Sequence, residues 1–146
     1  DISYNSYLDN LSYVNQNSYL FEDTIINNII LDNELDKDRL NKIIKIVNLE
    51  DVINKKENKH TIVRDNFSGG EKQKIIIARS LYKNFNILIL DEAFSEIAVR
   101  ERIKIINKIN EVYNDKTIIY VNHFNGDINY NQIINILNDR KEKCDE

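Results

Sequence analysis

Two apolar segments, each followed by polar side chains, constrain the fold of this chain most. Residues 87–90 read ILIL and are followed by Asp91 and Glu92. Residues 117–121 read TIIYV and are followed by Asn122 and His123. A short continuous apolar run is typical of a strand that is buried on both faces of a parallel sheet. Because helical periodicity separates the two runs, the pattern predicts an α/β fold with a parallel sheet and flanking helices.

The remaining elements follow from the same patterns. Helices are expected over 24–31, from Asp36 to about Val47, over 49–53, from Ser68 to about Lys83, and over 97–113, and strands are expected over 11–14 and 132–137. In the helix over 97–113, the expected buried stripe is Ile103, Ile106, Ile109 and Val112. We expect Glu22 to about Asn66 to form a small helical subdomain.

Composition limits the class of protein. A chain of 146 residues with 42% apolar and 30% charged residues is long enough for one domain and reads as globular. The net charge of −4 argues against a dedicated nucleic-acid surface, so no nucleic-acid partner is expected. The single cysteine, Cys144, cannot form an internal disulfide, which favours a cytoplasmic setting. Because the sequence contains no Met, we expect it to be a piece of a longer protein.

Polar side chains follow three predicted strands at the point where each strand ends. Gln16 follows the first strand, Asp91 and Glu92 the second, and His123 the third. Ligands of open α/β sheets bind at the carboxyl ends of the strands, so these groups predict a site for a metal, a water and an anion. Taken singly, each also has a structural interpretation: Gln16 as a polar strand end, the two acids as loop residues, and His123 as a hydrogen-bonded structural histidine.

A well-marked helix start precedes the second strand. Ser68 with Glu71 three positions later is a capping box, in which each side chain accepts from the other residue's backbone N–H. Gly69 and Gly70 lie in the same first turn, where free N–H groups and the helix dipole attract an anion. Capping alone is a sufficient explanation of this segment.

Together and in this order, the motifs resemble the ATP-binding cassette (ABC) family. The segments 13–16 (YVNQ), 67–73 (FSGGEKQ), 87–93 (ILILDEA) and 120–123 (YVNH) resemble that family's Q-loop, signature motif, Walker B strand and H-loop. The resemblance covers nearly the whole chain and implies a partial P-loop NTPase fold. It divides residues 1–146 into a Q-loop strand region (1–21), a helical subdomain (22–66) and a part with the signature helix, Walker B and H-loop (67–146).

The resemblance also implies roles for the residues at the strand ends, with ATP and Mg²⁺ as the ligands. Glu92 would act as general base on the attacking water, and Asp91 would hold Mg²⁺ largely through water. Gln16 would contact the metal or the attacking water, and His123 would hydrogen-bond the γ-phosphate. Glu92, His123 and Gln16 are therefore the expected catalytic residues, and Asp91 and Gln16 the expected metal-binding residues.

The signature segment implies a second subunit. In the family, its helix faces the ATP that a partner cassette holds, so Ser68, Gly69, Gly70 and Glu71 are the expected cofactor-binding residues. The partner could be an identical or a different cassette. A transmembrane domain is the other implied partner, which would place the chain at the cytoplasmic face of the cell membrane.

Two departures from the family pattern bear on activity. The chain contains no G-x-x-x-x-G-K-[ST] loop, the Walker A segment that lies upstream of the Q-loop in the family. We therefore expect the isolated chain to be inactive as an ATPase. Ala98 stands where the loop after Walker B usually ends in Asp, which puts coupling between two ATP sites in doubt.

The residues after the Q-loop segment bear on the branch of the family and on the role of the chain. Residues 18–29 resemble the corresponding segment of exporters, especially those that move peptides or bacteriocins. The first interpretation is the carboxyl-terminal portion of an exporter's ATPase domain. The alternative is a remnant cassette that does not hydrolyse ATP and acts as an interaction or regulatory module. In either case, the family's strand order makes the strands that lead to Gln16, Glu92 and His123 consecutive neighbours.

Overall fold

The structure, a computed structural model, describes residues 9–15, 17–55, 61–63, 67–122, 128, 131, 132 and 134. The elements are β1 (Leu11–Val14), α1 (Ile25–Ile30), α2 (Lys37–Ile46), α3 (Glu50–Lys55), α4 (Gly69–Tyr82), β2 (Ile87–Asp91), α5 (Val99–Val112) and β3 (Thr117–Val121). Most of the strand predicted over 132–137 lies outside the described residues. Within the described ranges, no helix has the length and apolar character that crossing a membrane requires.

The three strands form one parallel sheet in the order β1-β2-β3. Val14 of β1 lies opposite Leu90 of β2, which lies opposite Tyr120 of β3. The predicted α/β fold and the predicted strand order are therefore confirmed. Since the strands are parallel, their carboxyl ends meet at the same edge of the sheet.

One face of the sheet is buried and the other is partly exposed. Leu88 and Leu90 point into a core to which α4 and α5 contribute Ile77 and Ile106, among others. On the opposite face, the exposed fractions are 52% for Tyr13, 44% for Ile119 and 45% for Val121. The prediction that these strands are buried on both faces was wrong for β3, where alternate side chains are exposed. An apolar run does not itself reveal how many sheet faces are covered by helices.

The helix α4 is central to the packing. Its residues Ile75, Ile77, Ala78 and Leu81 are fully buried, and α1 and α2 pack against it. The helix begins at Gly69 because both hydrogen bonds of the predicted capping box form. In the described part of the range predicted as a helical subdomain there are three helices, and Asp36 caps α2 as expected. The division of the chain into subdomains stays a prediction.

A buried amide joins α1 to α4. The side chain of Asn28 donates to the carbonyls of Phe21, Asp23 and Thr24, and its oxygen accepts from the Phe21 N–H and from Arg79. All hydrogen-bonding capacity of this amide is satisfied, so its complete burial carries no unpaired polar group. Arg79 also donates to the carbonyls of Asn28 and Tyr19, which anchors α1 and the segment after β1 on α4.

The last helix differs from its predicted bounds. It begins at Val99 rather than at residue 97, because residues 92–97 form a turn with a hydrogen bond from the Ile97 N–H to the Phe94 carbonyl. Its buried positions are Arg102, Ile105, Ile106 and Ile109, which share one face at helical spacing. Ile103 and Val112 of the predicted stripe are only half-buried, since they lie at the margins of that face.

Candidate functional site

The carboxyl end of β2 places two acidic residues at the edge of the sheet. Asp91 is the last residue of the strand, and Glu92 follows it with a left-handed backbone (φ 50°). The Glu92 N–H donates to the Val121 carbonyl at 2.9 Å, which ties this turn to β3. A left-handed non-glycine residue costs free energy and is held only by its surroundings, and such residues concentrate at functional sites. The predicted Asp91–Glu92 pair is therefore built into the sheet edge.

The carboxylate of Asp91 has a partner that sequence reasoning missed. The hydroxyl of Tyr13 on β1 donates to Asp91 Oδ2 at 3.1 Å. That hydrogen bond, followed by partial burial and the negative charge of Asp91, raises the pKa of the Tyr13 phenol. Alternation puts Ile89 and Asp91 on one face of β2, but only the pairing of Tyr13 with Ile89 places the phenol beside that carboxylate. Tyr13 is therefore on the face that also carries Asp91.

Two side chains hold the turn that follows Glu92. The amide of Gln73 on α4 donates to Ser95 Oγ at 2.8 Å and accepts from the Glu96 N–H at 2.8 Å. From α5, Arg102 donates to the Ile97 carbonyl at 3.0 Å. These residues were also missed, since their role depends on contacts between elements that are distant in sequence. The turn is thereby fixed to both helices.

The signature segment forms the start of α4 as predicted. Ser68 Oγ accepts from the Glu71 N–H at 3.2 Å, and Glu71 Oε2 accepts from the Ser68 N–H at 2.9 Å. The Glu71 carboxylate is thus engaged in capping the helix. A Cβ on Gly70 would lie 2.8 Å from the Glu96 carbonyl oxygen, and one on Gly69 would lie 1.5 Å from a Glu96 carboxylate oxygen. Glycine at position 70 permits the close approach of the 92–97 turn to this helix, whereas the atoms nearest to position 69 belong to the flexible Glu96 side chain.

The structure brings only part of the predicted site together. Gln16 and His123 lie outside the described residues, so their predicted positions stay predictions. A cavity of about 230 Å³ opens beside Glu92, and Tyr120 and Asn122 contribute to its lining. It lies at the sheet edge where a ligand of an α/β fold is expected.

Among the described residues, no group of three or more His, Cys, Asp or Glu side chains is placed to hold a metal ion. A site for Mg²⁺ does not require one. Mg²⁺ keeps several waters and binds proteins through one or two carboxylates together with substrate phosphates. Asp91, a half-buried carboxylate at the sheet edge, fits that requirement.

Comparison with known proteins agrees with this arrangement. The profile of the family described as ABC transporter matches residues 1–95. An export ATP-binding/permease protein of Rickettsia typhi is 37% identical over 118 residues, which are 77% of this chain and 20% of that protein. An ATP-dependent lipid A-core flippase of Aliivibrio fischeri is 37% identical over 116 residues, 75% of this chain and 20% of that protein.

A solved structure extends the comparison to three dimensions. A bacterial Atm1-family ABC exporter with ATP bound superimposes with a TM-score of 0.73 and 32% sequence identity, over 80% of this chain and 22% of that one. The chain thus spans about a fifth of the length of the curated relatives that it matches. The chain belongs to the ABC transporter family, as part of an exporter-like nucleotide-binding domain.

Proposed function

We propose that this chain is part of the domain that binds and hydrolyses ATP in an ABC exporter. The observation that carries the proposal is the placement of Asp91 and Glu92 at the carboxyl end of the central strand, in a turn fixed by β3, Gln73 and Arg102. The names of the relatives, which refer to export and to ATP, support the same function.

Glu92 is the proposed general base. A carboxylate held at the sheet edge can accept a proton from an attacking water, which contributes roughly 10²–10⁴-fold to a reaction rate. Asp91 is the proposed ligand of Mg²⁺, through a water of its hydration shell. When bound, Mg²⁺ neutralises negative charge on the phosphoryl oxygens. Gln16 and His123 keep their proposed roles toward the metal or water and the γ-phosphate.

The start of α4 is proposed to face a second cassette. Ser68, Gly69 and Gly70 present a helix N-terminus without bulky side chains, which suits the phosphates of an ATP held by the partner. Glu71 contributes by fixing this turn through the capping box. The full transporter would also include a transmembrane domain, with this chain at the cytoplasmic face of the membrane.

The chain by itself is proposed to bind nucleotide weakly. Its 146 residues contain no glycine-rich loop with a lysine to hold the phosphates. Calorimetric titration of the isolated chain with Mg-ATP should therefore show no micromolar site. A micromolar site would show that the phosphates are held by residues that this proposal does not include.

The test of the proposed chemistry is Glu92→Gln in the full-length protein that carries this chain. The amide is nearly isosteric but cannot accept the proton, so ATP binding should persist while hydrolysis falls by about 100-fold or more. Glu111→Gln, which removes an exposed carboxylate on α5, is the matched control and should hydrolyse ATP like the wild type. Hydrolysis by Glu92→Gln at the wild-type rate would contradict the assignment of the base.

A non-hydrolysing interaction module is the second candidate. Ala98 caps α5 without a side-chain hydrogen bond, at the position where the family usually has Asp, and this observation favours weakened coupling between sites. The same experiment separates the candidates. A wild-type protein that binds ATP but hydrolyses it no faster than Glu92→Gln would support the interaction module.

A further inference from the structure

We propose that Tyr13 is a positioning residue that orients the Asp91 carboxylate for Mg²⁺. The inference rests on the proposed function of Asp91 as a metal ligand. Its basis is the hydrogen bond from the Tyr13 hydroxyl to Asp91 Oδ2.

The strand register explains how this contact arises. Tyr13 lies opposite Ile89, and Asp91 is two residues further along β2. Side chains two residues apart on a strand share a face, so Tyr13 and Asp91 are diagonal neighbours on the same side of the sheet. A diagonal separation is too long for most side chains but lies within reach of an aromatic one. A phenol therefore bridges the gap, whereas an aliphatic residue at position 13 would not.

The chemistry of the phenol suits a carboxylate that binds a cation. Among the described residues, Tyr13 makes the one hydrogen bond that the Asp91 side chain accepts. This bond fixes one carboxylate oxygen and leaves the other for the hydration shell of the metal. A neutral hydroxyl adds no positive charge, whereas Lys or Arg at the same place would repel Mg²⁺. Carboxylates that bind metals are commonly oriented by such hydrogen bonds, and losing one typically costs about 10–100-fold in metal affinity or activity.

The substitution Tyr13→Phe isolates the hydroxyl. Phe retains the aromatic ring, so the substitution removes only the hydroxyl. Because the Tyr13 side chain is half-exposed, this removal creates no buried cavity. Tyr19→Phe is the matched control, since it removes a phenolic hydroxyl from a more exposed tyrosine in the segment after β1. Amide chemical shifts away from β1 and β2 should be unchanged in both variants.

The experiment is a Mn²⁺ titration, at saturating ATP, of the full-length protein that carries this chain, because the phosphates complete the metal site. It follows the paramagnetic broadening of the Asp91 and Glu92 amide signals in selectively labelled protein. In Tyr13→Phe, half-maximal broadening should require about 10-fold more Mn²⁺, at the lower end of the usual range because the site is partly solvated. Tyr19→Phe should titrate like the wild type. Scalar couplings should report one Asp91 χ1 rotamer in the wild type and rotamer averaging in Tyr13→Phe.

The outcomes separate the inference from the function on which it rests. The Mn²⁺ concentration at half-maximal broadening of the Asp91 signal is compared between the wild type and Tyr13→Phe. If the two values agree within twofold, the positioning role is overturned and Asp91 remains a metal ligand. Wild-type protein with saturating ATP in which Mn²⁺ does not broaden these signals preferentially would overturn both the metal-binding role of Asp91 and the role of Tyr13.

Discussion

A partly buried ion pair joins α4, α5 and the turn between α2 and α3, and its removal should measurably destabilise the chain. Lys74 Nζ of α4 lies 2.5 Å from Glu101 Oε1 of α5, and the exposed fractions of the two side chains are 9% and 29%. Asn48, in the turn between α2 and α3, donates to the same Glu101 oxygen at 2.8 Å. Its own carbonyl lies 3.5 Å from Lys74 Nζ. The network therefore links both long helices to the preceding helical segment.

The perturbation is Glu101→Ala, which leaves the buried Lys74 ammonium with only the Asn48 carbonyl. Breaking a fully buried pair typically costs about 3–5 kcal/mol. Because Glu101 is partly solvated, we expect a loss of about 2–3 kcal/mol in the free energy of unfolding. Replacing both partners, as Lys74→Met with Glu101→Leu, leaves no unpaired charge and should cost much less than Glu101→Ala.

Urea denaturation of the chain and its variants is the assay, with Tm as a second readout. For a chain of this size, a loss of about 2–3 kcal/mol corresponds to a decrease in Tm of roughly 5–10 °C. Glu111→Ala, on the exposed face of α5, is the control and should change the free energy of unfolding by no more than about 0.5 kcal/mol. If Glu101→Ala lost no more free energy of unfolding than this control, the ion pair would not stabilise the fold. The same would follow if the double substitution lost the sum of the two single losses.

The same pair predicts a pH dependence. Burial by itself would raise the pKa of Glu101, but hydrogen bonds from Lys74 and Asn48 and the nearby positive charges outweigh burial and lower it below its ordinary value of 4.5. A carboxyl group with a lowered pKa in the folded state stabilises the fold above its unfolded pKa and loses that contribution as the pH falls through its folded pKa. The stability difference between wild type and Glu101→Ala should therefore be constant near neutral pH and shrink below about pH 4.5.

Three further substitutions test the packing by urea denaturation. Leu88→Ala at a fully buried position should cost about 3 kcal/mol, and a cost under 1 kcal/mol would contradict its burial. Ala98→Asp should add a side-chain cap to α5 and raise the free energy of unfolding by about 1 kcal/mol. An unchanged Tm would contradict this expectation. Gly70→Ala should destabilise by about 1–3 kcal/mol, because its Cβ would lie 2.8 Å from the Glu96 carbonyl oxygen. Stabilisation instead would show that helix propensity outweighs this contact.

Local patterns determined much of this protein from sequence alone. The capping box at Ser68, the cap at Asp36 and the apolar strand over 87–90 depend on residues within a few positions of one another, and each formed as predicted. Alternating apolar runs and helical segments were sufficient to predict the parallel sheet and the placement of Asp91 and Glu92 at a strand end, and the order of the motifs was sufficient to predict the family.

Contacts between distant segments were decided only by the tertiary structure. The bond from Tyr13 to Asp91 spans 78 positions, and the bonds from Gln73 to the turn after Glu92 span 22 and 23. No local pattern encodes such distances, because they depend on the register of the strands and on how the helices pack. The exposed face of β3 has the same origin, since helices elsewhere in the chain decide which face they cover. Hydrophobic periodicity reports only that a strand can be buried, whereas packing decides how much of it is.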